Sequence, residues 1–117
     1  MYWESLNKLV QRHKIIIDRR KGNAHPKYPE IIYPVDYGYL DKTTAIDGNG
    51  IDIFVGSLDS NIIQGIICTV DSLKNDTEIK IMYNCSENEI QSALALLNGK
   101  YISAIFMENS SNINYRR

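Results

Sequence analysis

The run Asp47-Gly48-Asn49-Gly50, followed directly by Ile51-Asp52-Ile53-Phe54-Val55, constrains the fold more than any other part of the chain. Asp-Gly and Asn-Gly pairs supply the backbone conformations that reverse a chain sharply. The β-branched run behind them, closed by Gly56, reads as a strand. The same run places Asp47 and Asp52 on the two sides of the turn. Taken alone, it is a hairpin with solvated flanks. Two carboxylates across a tight turn also suit a hard divalent cation such as magnesium, which needs few protein oxygens and keeps several waters. An EF-hand loop does not fit, because Ile51 and Asp52 occupy positions that need an oxygen ligand and a glycine.

The remaining elements are short. Trp3, Leu6 and Val10 recur at helical spacing, with Leu9 beside them, and suggest an amphipathic helix. Lys14 to Asp18 reads as a strand, 19–30 as a charged loop, and 31–33 as a short extended segment before Pro34. Residues 62–70 form an almost continuous apolar run, read as a strand buried on both faces. Residues 78–83 pair plausibly with it through a connection over 71–77. Ser86 and Glu89 make a capping box. Ile90, Ala93, Leu94 and Leu97 then trace a helical stripe that Gly99 would cap. Residues 101–107 read as a final strand, and 108–117 as a frayed tail. This is an α+β pattern around a small, strongly curved sheet or barrel. The pattern does not separate a closed barrel from an open sheet.

At 117 residues the chain is expected to form one domain. Its net charge of −1 offers no general field for nucleic acid or acidic membrane. No apolar run is long enough to span a bilayer, and the N-terminus lacks the apolar centre of a signal peptide, so a cytoplasmic protein is expected. Cys68 and Cys85 do not form a CxxC pair. Both read as reduced thiols, Cys68 as core. An exposed apolar surface from Trp3 and Leu6 would make a homo-oligomer plausible.

Other chemistry-bearing groups flank the turn. In an extended segment Glu78 and Lys80 point to one face, with Asp76 beside them. They read either as a solvated strand face or as a metal ligand next to a phosphate-binding ammonium. The loop Arg19-Arg20-Lys21, with His25 and Lys27, is either a solvated loop or a source of cations, and His25 suits a turn or the surface. Tyr37 and Tyr39 share a face if extended.

The segment 33–56, with Tyr33-Pro34-Val35-Asp36-Tyr37-Gly38-Tyr39 ahead of Asp47-Gly48-Asn49-Gly50-Ile51-Asp52, resembles the soluble family I inorganic pyrophosphatases, whose pattern is YPxxYGY, a short spacer and DGDxxD before a strand. Residues 17–22 with Lys27-Tyr28, and 76–80, resemble two further phrases of that family. The resemblance implies an OB-like five-stranded β-barrel with one or two packed helices, magnesium as cofactor, and hydrolysis of inorganic pyrophosphate to two phosphates. It implies Asp47 and Asp52 as metal ligands, Asp52 bridging. Asp76 and Glu78 become a second acidic group, and Asp18 stands near an outer metal. Lys27, Tyr37 and Lys80 become phosphate ligands.

Three departures accompany the likeness. Asn49 stands where the family has the aspartate that takes a proton from the attacking water, and an amide takes none at neutral pH. A hairpin carrying a phosphate-binding arginine is missing between Lys27 and Tyr33, for which Arg20 is the candidate substitute. The family's C-terminal Tyr-Lys pair has only the reversed Lys100-Tyr101. The alternatives are therefore a catalytically weak or inactive metal- and phosphate-binding module, or a hydrolase of another small phosphoanhydride. An OB-type nucleic-acid binder is disfavoured by the missing basic-aromatic surface.

Overall fold

The computed structural model describes residues 1–112. The elements run α1 (Tyr2–Arg12), β1 (Ile15–Arg19), β2 (Asp36–Leu40), β3 (Ile51–Val55), β4 (Ile63–Asp71), β5 (Asp76–Tyr83), α2 (Glu87–Leu97) and β6 (Ile102–Glu108). The strands form one six-stranded sheet in the order β1-β2-β3-β5-β4-β6. Every pairing is antiparallel except β3 with β5, which is parallel. The α+β expectation holds. The five-stranded barrel does not: the described residues hold six strands, and their sheet stays open.

Two features explain the difference. β6, at one edge, has its outer backbone already occupied at Ala104, whose N–H donates to Asn98 Oδ1 and whose carbonyl accepts from Asn98 Nδ2. That contact occupies one position of the β6 edge that β1, at the other edge, would have to pair with to close a barrel. The additional strand is β2, which lies after Pro34 rather than before it. Ile32 makes only an isolated bridge to Ala24. Gly38 weakens the strand signal of β2, yet the strand needs it. A Cβ there would lie 1.8 Å from the Ile16 carbonyl oxygen of β1.

The sheet has a core on each face. On one, α1 lays Leu6 and Val10 against Leu40, Ile53, Ile66 and Ile81. Leu6 is thus core rather than exposed surface. On the other, α2 lays Ile90 and Ala93 against Phe54, Ile67 and Met82. Helix α2 starts at the expected capping box, with Ser86 Oγ accepting from the Glu89 N–H. It ends at Leu97 with Asn98, not Gly99, as its cap. The expected 71–77 connection shortens to Ser72–Asn75, because Asp71 pairs with Asp76 and Asp71 Oδ1 accepts from the N–H groups of Leu73 and Lys74. Both cysteines are free thiols, but Cys85 is the buried one and Cys68 is partly exposed. Of the expected frayed tail, Glu108 belongs to β6. Asn109 is buried and donates from Nδ2 to the Ile63 carbonyl. Residues 113–117 lie outside the described residues. None of the described helices is long and apolar enough to cross a membrane.

Candidate active site

The sheet positions the site through the parallel pairing of β3 with β5. It sets Asp52 opposite Lys80, and alternation puts Glu78 on the same face as Lys80. Across the antiparallel β2–β3 pair, Tyr39 stands opposite Asp52 and Tyr37 opposite Phe54. Four functional groups therefore converge. Lys80 Nζ lies 2.8 Å from Asp52 Oδ2 and 3.5 Å from Glu78 Oε2, and donates to Tyr37 Oη at 2.9 Å. Lys80 is only 9% exposed. Its aliphatic stem is buried in the sheet and its charge is met by two carboxylates.

The electrostatics follow from this burial. Burial works against the Lys80 charge, but Tyr37 and Asp52 outweigh it, so its proton affinity is raised and it stays an ammonium. Burial drives the Tyr37 phenol upward too, so it keeps its proton. Burial also raises Glu78, and its negative neighbours reinforce the shift against the pull of Lys80. Asp47, on the exposed turn, is lowered instead, because the Asn49 backbone N–H donates to its Oδ1 at 2.9 Å.

A cleft of about 960 Å³ opens over this cluster. Asp18, Asp47, Asn49, Asp52, Asp76, Glu78, Tyr37 and Lys80, all singled out in the sequence, line it. Their arrival from β1, the β2–β3 turn, β3, β2 and the β4–β5 hairpin brings together residues far apart in the chain. Two expected residues are not brought in. Lys27 is exposed and outside the lining. Arg20 is also outside it, its side chain 70% exposed and 3.6 Å from Asp36.

Arg19, which the sequence offered only as one of several loop cations, does line the cleft. Its Nη1 donates to Tyr33 Oη, and its Cζ lies 5.3 Å from the Tyr33 ring centroid and 5.8 Å from that of Tyr37. Tyr33 and Tyr37 are stacked at 5.5 Å, and Tyr37 rests on Phe54 at 4.7 Å. His25 stacks on Tyr33 from outside at 6.3 Å. Only the run of basic residues at 19–21 signalled Arg19 in the sequence.

The carboxylates of the cleft, Asp18, Asp47, Asp52, Asp71, Asp76 and Glu78, offer oxygen donors of the kind magnesium takes. Among the described residues, however, no three His, Cys, Asp or Glu side chains stand close enough together to hold a metal ion. Asp52 and Glu78 instead converge on the Lys80 ammonium.

No family model matches the sequence, and no curated protein matches it. Solved structures do. An inorganic pyrophosphatase from Coxiella burnetii is 13% identical, with a TM-score of 0.57 over 80% of this chain and 84% of that one. An inorganic phosphatase from Anaplasma phagocytophilum is 12% identical, with a TM-score of 0.61 over 84% of each chain. The inorganic pyrophosphatase of Helicobacter pylori is 13% identical, with a TM-score of 0.60 over the same shares. At these identities the likeness is one of fold: the chain is built on the same scaffold as these solved structures.

Proposed function

We propose that the protein hydrolyses inorganic pyrophosphate to two phosphates in a magnesium-dependent reaction, as a single domain spanning residues 1–117 in the cytoplasm. The observation that carries this reading is the Lys80–Asp52–Tyr37–Glu78 cluster lining a carboxylate-bearing cleft, on a fold shared with two inorganic pyrophosphatases. The oxygen donors fit a cation that retains waters and takes one or two carboxylates. One or two of Asp47, Asp52, Asp76 and Glu78 would hold it, and Asp18 also lines the cleft. When bound, magnesium supplies Lewis acidity to a water and to phosphoryl oxygens.

The side chains supply the rest. Lys80 donates to the Tyr37 oxygen, and the phenol, which keeps its proton, would turn its O–H from Asp52 to a phosphoryl oxygen. The Lys80 ammonium holds Asp52 in one orientation and offsets charge on the leaving phosphate. Asn49, on the exposed turn, positions a water or a phosphoryl oxygen through its amide but takes no proton. General-base help is worth roughly 10²–10⁴-fold, so the enzyme is slow for its class. Phosphate release from pyrophosphate, with and without magnesium, tests the reading. Release should need both the metal and Asp52. Turnover that survives in Asp52→Ala would refute it. Asn49→Asp should raise the rate, and a fall would show that Asn49 serves other chemistry.

A second reading follows from Asn49 and from Asp52 being already paired with Lys80: a module that binds metal and phosphate without cleaving, or that acts on another small phosphoanhydride. Calorimetry separates them, because a binding module takes up pyrophosphate with magnesium and leaves it intact. If the chain self-associates, the surface concerned is the sheet face beyond α1, where Val70, Ile105 and Met107 are exposed.

A further inference from the structure

The register of β1 against β2 brings an arginine into the cleft. Ile15, Ile16 and Ile17 pair in sequence with Leu40, Tyr39 and Gly38, but it is Arg19, not Asp18, that pairs with Tyr37. This is a β-bulge. In an unbroken strand Asp18 would face Tyr37, and Arg19 would point to the opposite side of the sheet with Asp36. The bulge turns Arg19 onto the cleft face, a use bulges commonly have beside active sites. Asp18 still reaches the cleft, so the bulge adds a cation without removing the acid.

The environment of Arg19 differs from that of the other cations near the cleft. Lys80 is neutralised by Asp52 and Glu78. Lys74 and Lys100 sit on exposed loops. Arg19 is half-buried, and no carboxylate pairs with it among the described residues. Its guanidinium is instead fixed by the Tyr33 hydroxyl and the faces of Tyr33 and Tyr37. Tyr33 is itself 6% exposed and locked in the core. A planar cation held by aromatic rings and lacking a counter-ion is preorganised for bidentate contact with a phosphoryl group.

We propose that Arg19 is the anion anchor of the cleft, taking a phosphoryl group of the substrate, with Tyr33 as the residue that positions it. This rests on the pyrophosphate reading above and names a phosphate ligand for it. Both cations approach Tyr37, with Lys80 Nζ 5.3 Å from its ring centroid and Arg19 Cζ 5.8 Å.

The test uses the full chain and inorganic pyrophosphate, with steady-state hydrolysis in magnesium and, separately, calorimetric titration. Arg19→Gln should raise KM and Kd about tenfold or more, the loss expected for a charge-assisted hydrogen-bond pair, while kcat changes by less than about threefold. Arg19→Lys restores the charge without the fork and should recover part of the affinity. Tyr33→Phe should fall between wild type and Arg19→Gln. Thermal melts of each variant separate lost folding from lost binding, and Arg19→Lys carries the test if Arg19→Gln fails to fold. Unchanged KM and Kd in Arg19→Gln, or an equal effect from Arg20→Gln, would overturn the assignment. If wild type binds pyrophosphate but does not cleave it, the hydrolytic reading falls and the Kd series alone judges Arg19. If wild type does not bind pyrophosphate, both fall.

Discussion

Replacing Asp52 with Asn tests how strongly the cleft is organised around Lys80. The substitution keeps size and removes one charge. It leaves a nearly buried ammonium with the Tyr37 hydroxyl at 2.9 Å and one carboxylate, Glu78, at 3.5 Å. Removing one partner of a fully buried pair costs about 3–5 kcal/mol. Here the Asp52 side chain is 24% exposed against 11% for Lys80, so solvent screens part of the pair, and Glu78 retains part of the attraction. The expected loss is therefore about 1–3 kcal/mol. For a domain of this size that is a fall in Tm of very roughly 5–15 °C. Urea unfolding at neutral pH, followed by far-UV circular dichroism, measures it as a lower midpoint at unchanged slope. A loss under about 0.5 kcal/mol is the behaviour of a surface ion pair. It would mean that Asp52 is not held by Lys80 and would refute the organisation described above. The outcome also bears on metal binding, because the energy of this pair is what a cation must overcome to recruit Asp52.

Two further predictions concern the scaffold. Gly38→Ala should cost about 3 kcal/mol or more, at the upper end for overpacking, because its Cβ would meet the Ile16 carbonyl rather than a movable side chain; a loss below about 1 kcal/mol in urea unfolding would show that β1 and β2 separate freely. Glu89 accepts from the Ser86 and Ser57 N–H groups and from Ser57 Oγ. Burial opposes its charge, but these donors outweigh it and hold its carboxyl below the ordinary value. A carboxyl depressed by folding adds stability above its unfolded value of about 4.3 and loses it as pH falls through the folded one. Glu89→Gln should thus cost about 1 kcal/mol at pH 7, the scale of a capping interaction, and the gap to wild type should close in acid. A gap that widens in acid would refute the assignment.

Much of the framework was legible in the sequence because its causes are local. The Asp47–Gly50 turn, the Ile51 strand, the apolar β4 run and the Ser86–Glu89 cap each follow from conformational preference and side-chain periodicity within a few residues. Strand β2 was missed because Gly38 lowers its local propensity, and its reason for being there is a neighbouring strand. The closed barrel failed for a similar cause, since closure requires the two edge strands β1 and β6 to meet, which only tertiary pairing decides.

The site divides along the same line. The residue types that can bind cations and phosphate, and the alternation that puts Glu78 and Lys80 on one side, are properties of the chain itself. That Asp52 meets Lys80 depends on the parallel pairing of β3 with β5, which no local signal encodes. The choice between adjacent arginines is a matter of register. Strand alternation groups Arg20 with Asp18 on one face, and a single bulged residue, visible only once β1 lies against β2, exchanges Arg20 for Arg19 at the cleft. Sequence determined which groups were available, and tertiary pairing decided which of them meet, because side-chain direction in a sheet reverses with every residue of register.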